Sequence, residues 1–85
     1  MNDIIVTSEG LKKIKDELEL LKNTKRKELI ERIQRAKELG DLSENADYTD
    51  AKEEQSFVEG RIQELENILL KAVVVDGNGQ GDKQT

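Results

Sequence analysis

The chain has 85 residues, a formal net charge of −5, 39% charged and 2% aromatic residues, and no Cys, His, Trp or Pro. That inventory excludes disulfides, thiolate or imidazole metal sites, His-based nucleophilic catalysis and haem ligation. Any metal chemistry must run through carboxylates, hydroxyls and amides, which favour magnesium, manganese or calcium. A chain this short buries only about 60% of its unfolded surface, so a thin apolar seam is expected rather than a thick core. No apolar run approaches the ~18 residues of a membrane span, and Asp3 and Glu9 interrupt any signal-peptide pattern, so a cytoplasmic protein without membrane contact is the expectation.

Taken in chain order, Ile4-Ile5-Val6 is a short β-branched run. Thr7 or Ser8 can then cap a helix, Glu9 suits its positive first turn, and Leu11, Ile14, Leu18 and Leu21 form an apolar stripe with 3,4,3 spacing. The stripe resumes at Leu29, Ile33 and Ala36. The interval from Leu21 through Lys25 to Leu29 carries an extra step, a stutter that relaxes supercoiling without requiring a break. Gly40 is placed to end this helix as its left-handed residue. Ser43 or Asn45 can cap a second helix, whose stripe runs Ala51, Gln55, Val58, Ile62, Leu65, Leu69 and Ala72. Val73-Val74-Val75 is a second β-branched run, placed to pair or pack with the first, and the segment from Asp76 onward is Gly-rich and polar.

The two stripes are complementary. Leu11 with Ala72, Ile14 with Leu69, Leu18 with Leu65 and Leu21 with Ile62 are each equidistant from the Asp41–Leu42 bond, so folding the stripes together puts the turn there. Beyond the stutter, Leu29 with Gln55 and Ile33 with Ala51 are displaced by one residue. The predicted architecture is all-α: a long antiparallel two-helix coiled-coil hairpin over 1–75, with helices at about 8–39 and 44–72, a tip at 40–45 and a flexible tail over 76–85. Arms of about 30 residues give a rod of roughly 45 Å. A dimer or bundle held by the off-seam residues Leu20, Ile30, Leu39, Phe57, Ile68 and Leu70 is the alternative, with a monomer preferred. Charge divides along the chain as well. From Leu11 to Gly40 ten Lys or Arg oppose six Asp or Glu, and from Asp41 to Lys71 three oppose nine, which suits two arms attracting each other.

Around the turn, Glu38, Asp41, Glu44, Asp47 and Asp50 recur every third residue with no Lys or Arg among them until Lys52. Asp47 and Asp50 are accounted for by the positive start of the second helix and by solvent. Asp41 is not, because it lies near the negative end of the first. An EF-hand reading fails, since Ala46 stands where the loop needs Gly and Lys52 where it needs a bidentate Glu. Asp41 and Glu44 alone offer too few oxygens to hold magnesium firmly, and suit completing a metal site on another molecule.

The stretch Gly40-Asp41-Leu42-Ser43-Glu44-Asn45-Ala46-Asp47-Tyr48, continuing through Ala51-Lys52-Glu53-Glu54-Gln55 to Glu59-Gly60-Arg61-Ile62, resembles the signature of the bacterial GreA/GreB transcript-cleavage factors. Thr7-Ser8-Glu9-Gly10 with Leu18 and Leu21 resembles that family's opening, and the likeness runs from about Val6 to Val75. It implies an accessory factor, not an enzyme. Its hairpin would enter the secondary channel of bacterial RNA polymerase and stimulate the polymerase's own cleavage of backtracked RNA at the nascent 3′ end. Asp41 and Glu44 would help retain a magnesium ion shared with the polymerase and bound only weakly by the chain alone. Ser43 would assist, with Leu42, Asn45 and Tyr48 supporting the tip. Arg32, Arg35 and Lys52 would form a basic patch facing the RNA, with Lys25, Arg26 and Arg61 further back; ordinary solvated charges and surface ion pairs of little net worth are the alternative for these. The family's globular C-terminal domain has no counterpart in the Gly-rich segment. Two further readings stay open: a shortened channel-binding regulator competing with full-length factors, and a structural oligomerising coiled coil. Direct nucleic-acid binding by the chain alone is disfavoured by its negative charge and scarce aromatics.

Overall fold

A computed structural model describes residues 2–41 and 44–75. The expected Gly-rich tail, and Leu42 and Ser43 at the tip, lie outside the described residues. The element order is β1 (Ile4–Val6), α1 (Ser8–Leu20), a π-helical turn (Leu21–Lys25), α2 (Arg26–Glu38), α3 (Ala46–Lys71) and β2 (Ala72–Val74). These build a rod of 62 × 25 × 14 Å, with α1 and α2 as one arm and α3 as the other. Among the described residues, no helix is long and apolar enough to cross a membrane.

At the open end, of the two candidate residues it is Thr7 that caps α1. Its Oγ1 accepts the Gly10 N–H at 3.0 Å. The two β-branched runs pair in parallel, Ile4 with Ala72, Ile5 with Val73 and Val6 with Val74, and the Val75 N–H donates to the Val6 carbonyl at 2.7 Å. Parallel strands flanking antiparallel helices require the chain to change direction at a strand–helix junction. Both junction residues have extended backbones, Thr7 at ψ 164° and Ala72 at ψ 134°.

The stutter takes a definite form. Helical dihedrals continue through it, but the Arg26 N–H reaches back five residues to the Leu21 carbonyl instead of four. The wider turn absorbs one extra residue. It brings Leu29, Ile33 and Ala36 into line with the stripe of α1.

Among the described residues, the seam is the core. Leu29, Ile33 and Ala36 from the first arm and Ala51, Val58, Ile62 and Leu65 from the second are buried, and Leu18 and Leu21 pack against the cluster of Leu29, Val58 and Ile62. Toward the open end the seam is thinner: Leu11, Ile14 and Leu69 are half-buried. Of the off-seam residues, Ile68 is half-buried and broadens the seam. Leu20, Leu39, Phe57 and Leu70 are exposed by 58% to 83%. Ile62, at 2% exposure, has no room to relax into, so Ile62→Ala is expected to destabilise the hairpin by about 2–5 kcal/mol. Phe57→Ala, at 80% exposure, should stay within about 0.5 kcal/mol of the parent. Urea unfolding of both variants, followed by helical circular dichroism, measures the contrast.

Candidate functional site

Where the arms meet, α2 closes with the Leu39 N–H donating to the Ala36 carbonyl at 3.1 Å and the Gly40 N–H to the Lys37 carbonyl at 3.2 Å. Gly40 has φ 112°, a conformation glycine adopts without a Cβ penalty, and it turns the chain out of the helix. Asn45 starts α3, its Oδ1 accepting the Tyr48 N–H at 3.1 Å. The same side chain donates from Nδ2 to the Ala36 carbonyl at 2.6 Å. One part-buried amide therefore satisfies an orphan donor of α3 and gives the Ala36 carbonyl, which already accepts the Leu39 N–H, a second hydrogen bond, tying the two arms together immediately behind the tip.

Held in this way, Asp41, Glu44 and Asp47 border one open cleft of about 460 Å³ together with Leu39, Asn45 and Ala46. All three acidic residues are exposed. Among the described residues no three carboxylates converge closely enough to hold a metal ion by themselves. The donor set fits a hard, hydrated cation supplied with further ligands from elsewhere. Ser43, expected to assist the two carboxylates, and Leu42, expected to support the tip, are outside the described residues.

Behind the tip, two charged edges flank the seam. On α3, Asp47, Glu54 and Arg61 follow one another at heptad spacing along one edge, and Lys52, Glu59 and Glu66 along the other. Lys25 and Arg32 both reach Glu54, at 2.8 and 3.2 Å, and Arg61 is bidentate to Glu17 at 2.8 and 3.0 Å. On the opposite edge Arg26 is bidentate to Glu59 at 2.7 and 2.6 Å, and Lys22 meets Glu66 at 3.2 Å. Among the described residues, four of the five ion pairs that cross the seam put the cation on the first arm, which accounts for the uneven charge of the two halves.

Hydrogen bonding to Arg61 holds the Glu17 carboxyl below its usual range, and Lys25 and Arg26 do the same for Glu54 and Glu59. Lowered folded-state values make these pairs stabilising above the ordinary glutamate value of ~4.3. That contribution is lost as the pH falls through the lower folded values. Every partner is more than a third exposed, so water screens the pairs, and their main effect is on register.

The three cations expected to face RNA divide between the two edges. Arg32 and Arg35 border a hollow of about 380 Å³ with Ala36, Leu39 and Asp47, and Arg32 is tied to Glu54. Lys52 lies on the other edge, around a hollow of about 220 Å³ shared with Lys37, Ile30, Ile33, Gln34 and Gln55. Lys52 Nζ donates to Gln55 Oε1 at 3.3 Å, and neither Lys37 nor Lys52 makes an ion pair among the described residues. Here the acidic arm sets a cation beside a cation of the basic arm. The sequence pattern does not single out Lys37, and its signal is indirect: Lys52 interrupts the acidic arm with no carboxylate opposite it.

A long two-helix hairpin with an acidic tip and charge-paired edges defines the class. The family described as "Transcription elongation factor, N-terminal" matches residues 4–74, and the chain belongs to that GreA/GreB N-terminal family. Among curated relatives, a transcription elongation factor GreA of Clostridium perfringens (strain SM101 / Type A) is 61% identical over 72 residues, which cover 85% of this chain and 46% of the relative. That of Bacillus cereus (strain AH187) is 55% identical over 75 residues, 88% of this chain and 48% of the relative. That of Alkaliphilus oremlandii (strain OhILAs) is 54% identical over 74 residues, 87% and 46%. The chain spans about half the length of these relatives.

Because Asn45 serves both arms, Asn45→Ala is expected to cost about 1–3 kcal/mol, combining a lost cap with the loss of the cross-turn hydrogen bond to the Ala36 carbonyl. Asn45→Ser, which can still cap but cannot reach the carbonyl, should recover only part of it. Thermal unfolding of the three proteins side by side measures the difference.

Proposed function

We propose that the chain is the channel-entering module of a transcription elongation factor: it carries Asp41 and Glu44 into the active centre of bacterial RNA polymerase and stimulates the polymerase's own cleavage of backtracked RNA. The observation that carries this reading is a carboxylate cluster presented at the end of a rod 25 × 14 Å in cross-section, exposed and, among the described residues, with too few ligands to hold a metal alone. Such a site is of little use by itself and well suited to completing a metal site inside a narrow channel. Family membership and the GreA relatives support the same reading.

In this mechanism the chain performs no bond chemistry of its own. Asp41 and Glu44 are the residues that would hold a magnesium ion shared with the polymerase, and the chemistry such an ion would supply when bound is charge neutralisation and water activation. Both carboxylates would serve as partial ligands, the remainder coming from the polymerase. Gly40 and the Asn45 amide set the ends of the two helices on either side of the tip. Lys37 and Lys52, without an ion pair among the described residues, would meet the phosphates of the displaced RNA 3′ end from one edge behind the tip, while Arg32 is paired with Glu54. Arg35, on the opposite edge, can add a further phosphate contact from the other side.

The test uses stalled, backtracked elongation complexes of bacterial RNA polymerase, with cleavage rates measured with and without the chain. Asp41→Asn and Glu44→Gln are each expected to reduce the stimulation by about 10- to 100-fold. Melting temperatures should stay within a few degrees, since both side chains are exposed. Lys37→Ala combined with Lys52→Ala should weaken stimulation most at low salt, where the attraction these cations supply is least screened. Undiminished stimulation by the double Asp41→Asn, Glu44→Gln variant would overturn the proposal. Inhibition that survives in that variant would instead mark a channel-blocking regulator.

A further inference from the structure

Between Leu21, the last apolar residue of the base half of the first arm, and Leu29, the first of the tip half, residues 22–28 are all polar. An uninterrupted heptad continuing from Leu21 would put Lys25, Glu28, Arg32 and Arg35 in the seam. Instead Leu29, Ile33 and Ala36 are there, exposed by only 2%, 7% and 3%. One extra residue accounts for the difference, and it is housed in the π-turn, where the Arg26 N–H meets the Leu21 carbonyl.

The core dictates that an extra residue be absorbed, but not where. The wide turn can move a residue or two toward the tip without taking Leu21 or Leu29 out of the seam, because nothing apolar lies between them. What selects the observed position is polar. Lys22 to Glu66 at 3.2 Å, Lys25 to Glu54 at 2.8 Å and Arg26 to Glu59 at 2.6 Å hold the π-turn and its flank to both edges of α3. Each of these side chains is between 34% and 47% exposed, so water and salt reach all three pairs.

We infer that the π-turn is a joint dividing the first arm into a base half and a tip half, pinned by three surface ion pairs and not by the core, so that opening those pairs lets the tip half rotate against the base. The joint is a property of packing, whatever the function of the tip.

Amide hydrogen exchange on the 85-residue chain, resolved by NMR at ~0.05 M and ~1 M NaCl, tests it. Amides of 22–28 should be about tenfold or more less protected than those of 14–18 and 30–34. At ~1 M salt, where the screening length falls to about 3 Å, they should lose severalfold more while the flanking segments hold. Deleting Asn23 restores an unbroken heptad through Leu29, Ile33 and Ala36, and should erase both the weak segment and its salt dependence. Equal protection of 22–28 and its flanks in the parent chain at both salts would overturn the joint, whatever the fate of the deletion variant. So would a folded deletion variant that keeps the weak segment.

Discussion

Everything in this molecule hangs on one apolar seam and its register. Among the described residues, seven buried side chains, Leu29, Ile33 and Ala36 against Ala51, Val58, Ile62 and Leu65, make up the closed part of the core. Because hydrophobic burial is non-directional, the seam would tolerate many alignments if its apolar residues were evenly spread. They are not. The matched stripes of α1 and α3 share one alignment that brings them all to the seam, buried at Ile62 and Leu65 and half-buried at Leu11, Ile14, Leu18, Leu21 and Leu69. The turn chemistry agrees with it, Gly40 leaving α2 in a left-handed conformation and Asn45 starting α3. The acidic residues reach the far end of the rod because the apolar ones leave them nowhere else to be.

Electrostatics works on top of this register. The cross-seam ion pairs are too exposed to supply much stability, but they penalise a slip, since moving one arm by a residue separates Arg26 from Glu59 and Arg61 from Glu17 together. The edges also distribute charge along the rod. The middle is neutralised pair by pair and the tip is acidic. Just behind the tip, Lys37 and Lys52 stand together with no carboxylate partner among the described residues.

Much of this is legible in the residues themselves. Apolar spacing locates both helices, the seam and the turn, and Thr7 and Gly40 are readable as cap and stop from chemistry alone. Other features depend on information that spacing does not contain. A stutter says that an extra residue must be absorbed, while its form as a π-turn depends on which backbone carbonyl the Arg26 N–H finds. The β-branched runs announce strands, but their parallel order depends on a change of direction at a helix junction. The choice of Asn45 as cap is reinforced by a contact across the turn, to Ala36, that no local pattern contains. Arg32, Arg35 and Lys52 share a level along the rod, but level is a matter of residue count and edge a matter of azimuth, so grouping them by distance from the tip merges two faces.

In the proposed function the chain has one narrow role, which is to bring two carboxylates, correctly aimed, to a metal ion that another molecule already half holds. The most direct measurement is the magnesium concentration at which stalled RNA polymerase complexes reach half-maximal RNA cleavage, with and without the chain. If the tip retains the shared ion, the chain lowers that concentration by about tenfold or more. An unchanged magnesium midpoint, with only the maximal rate altered or with cleavage inhibited, would contradict it.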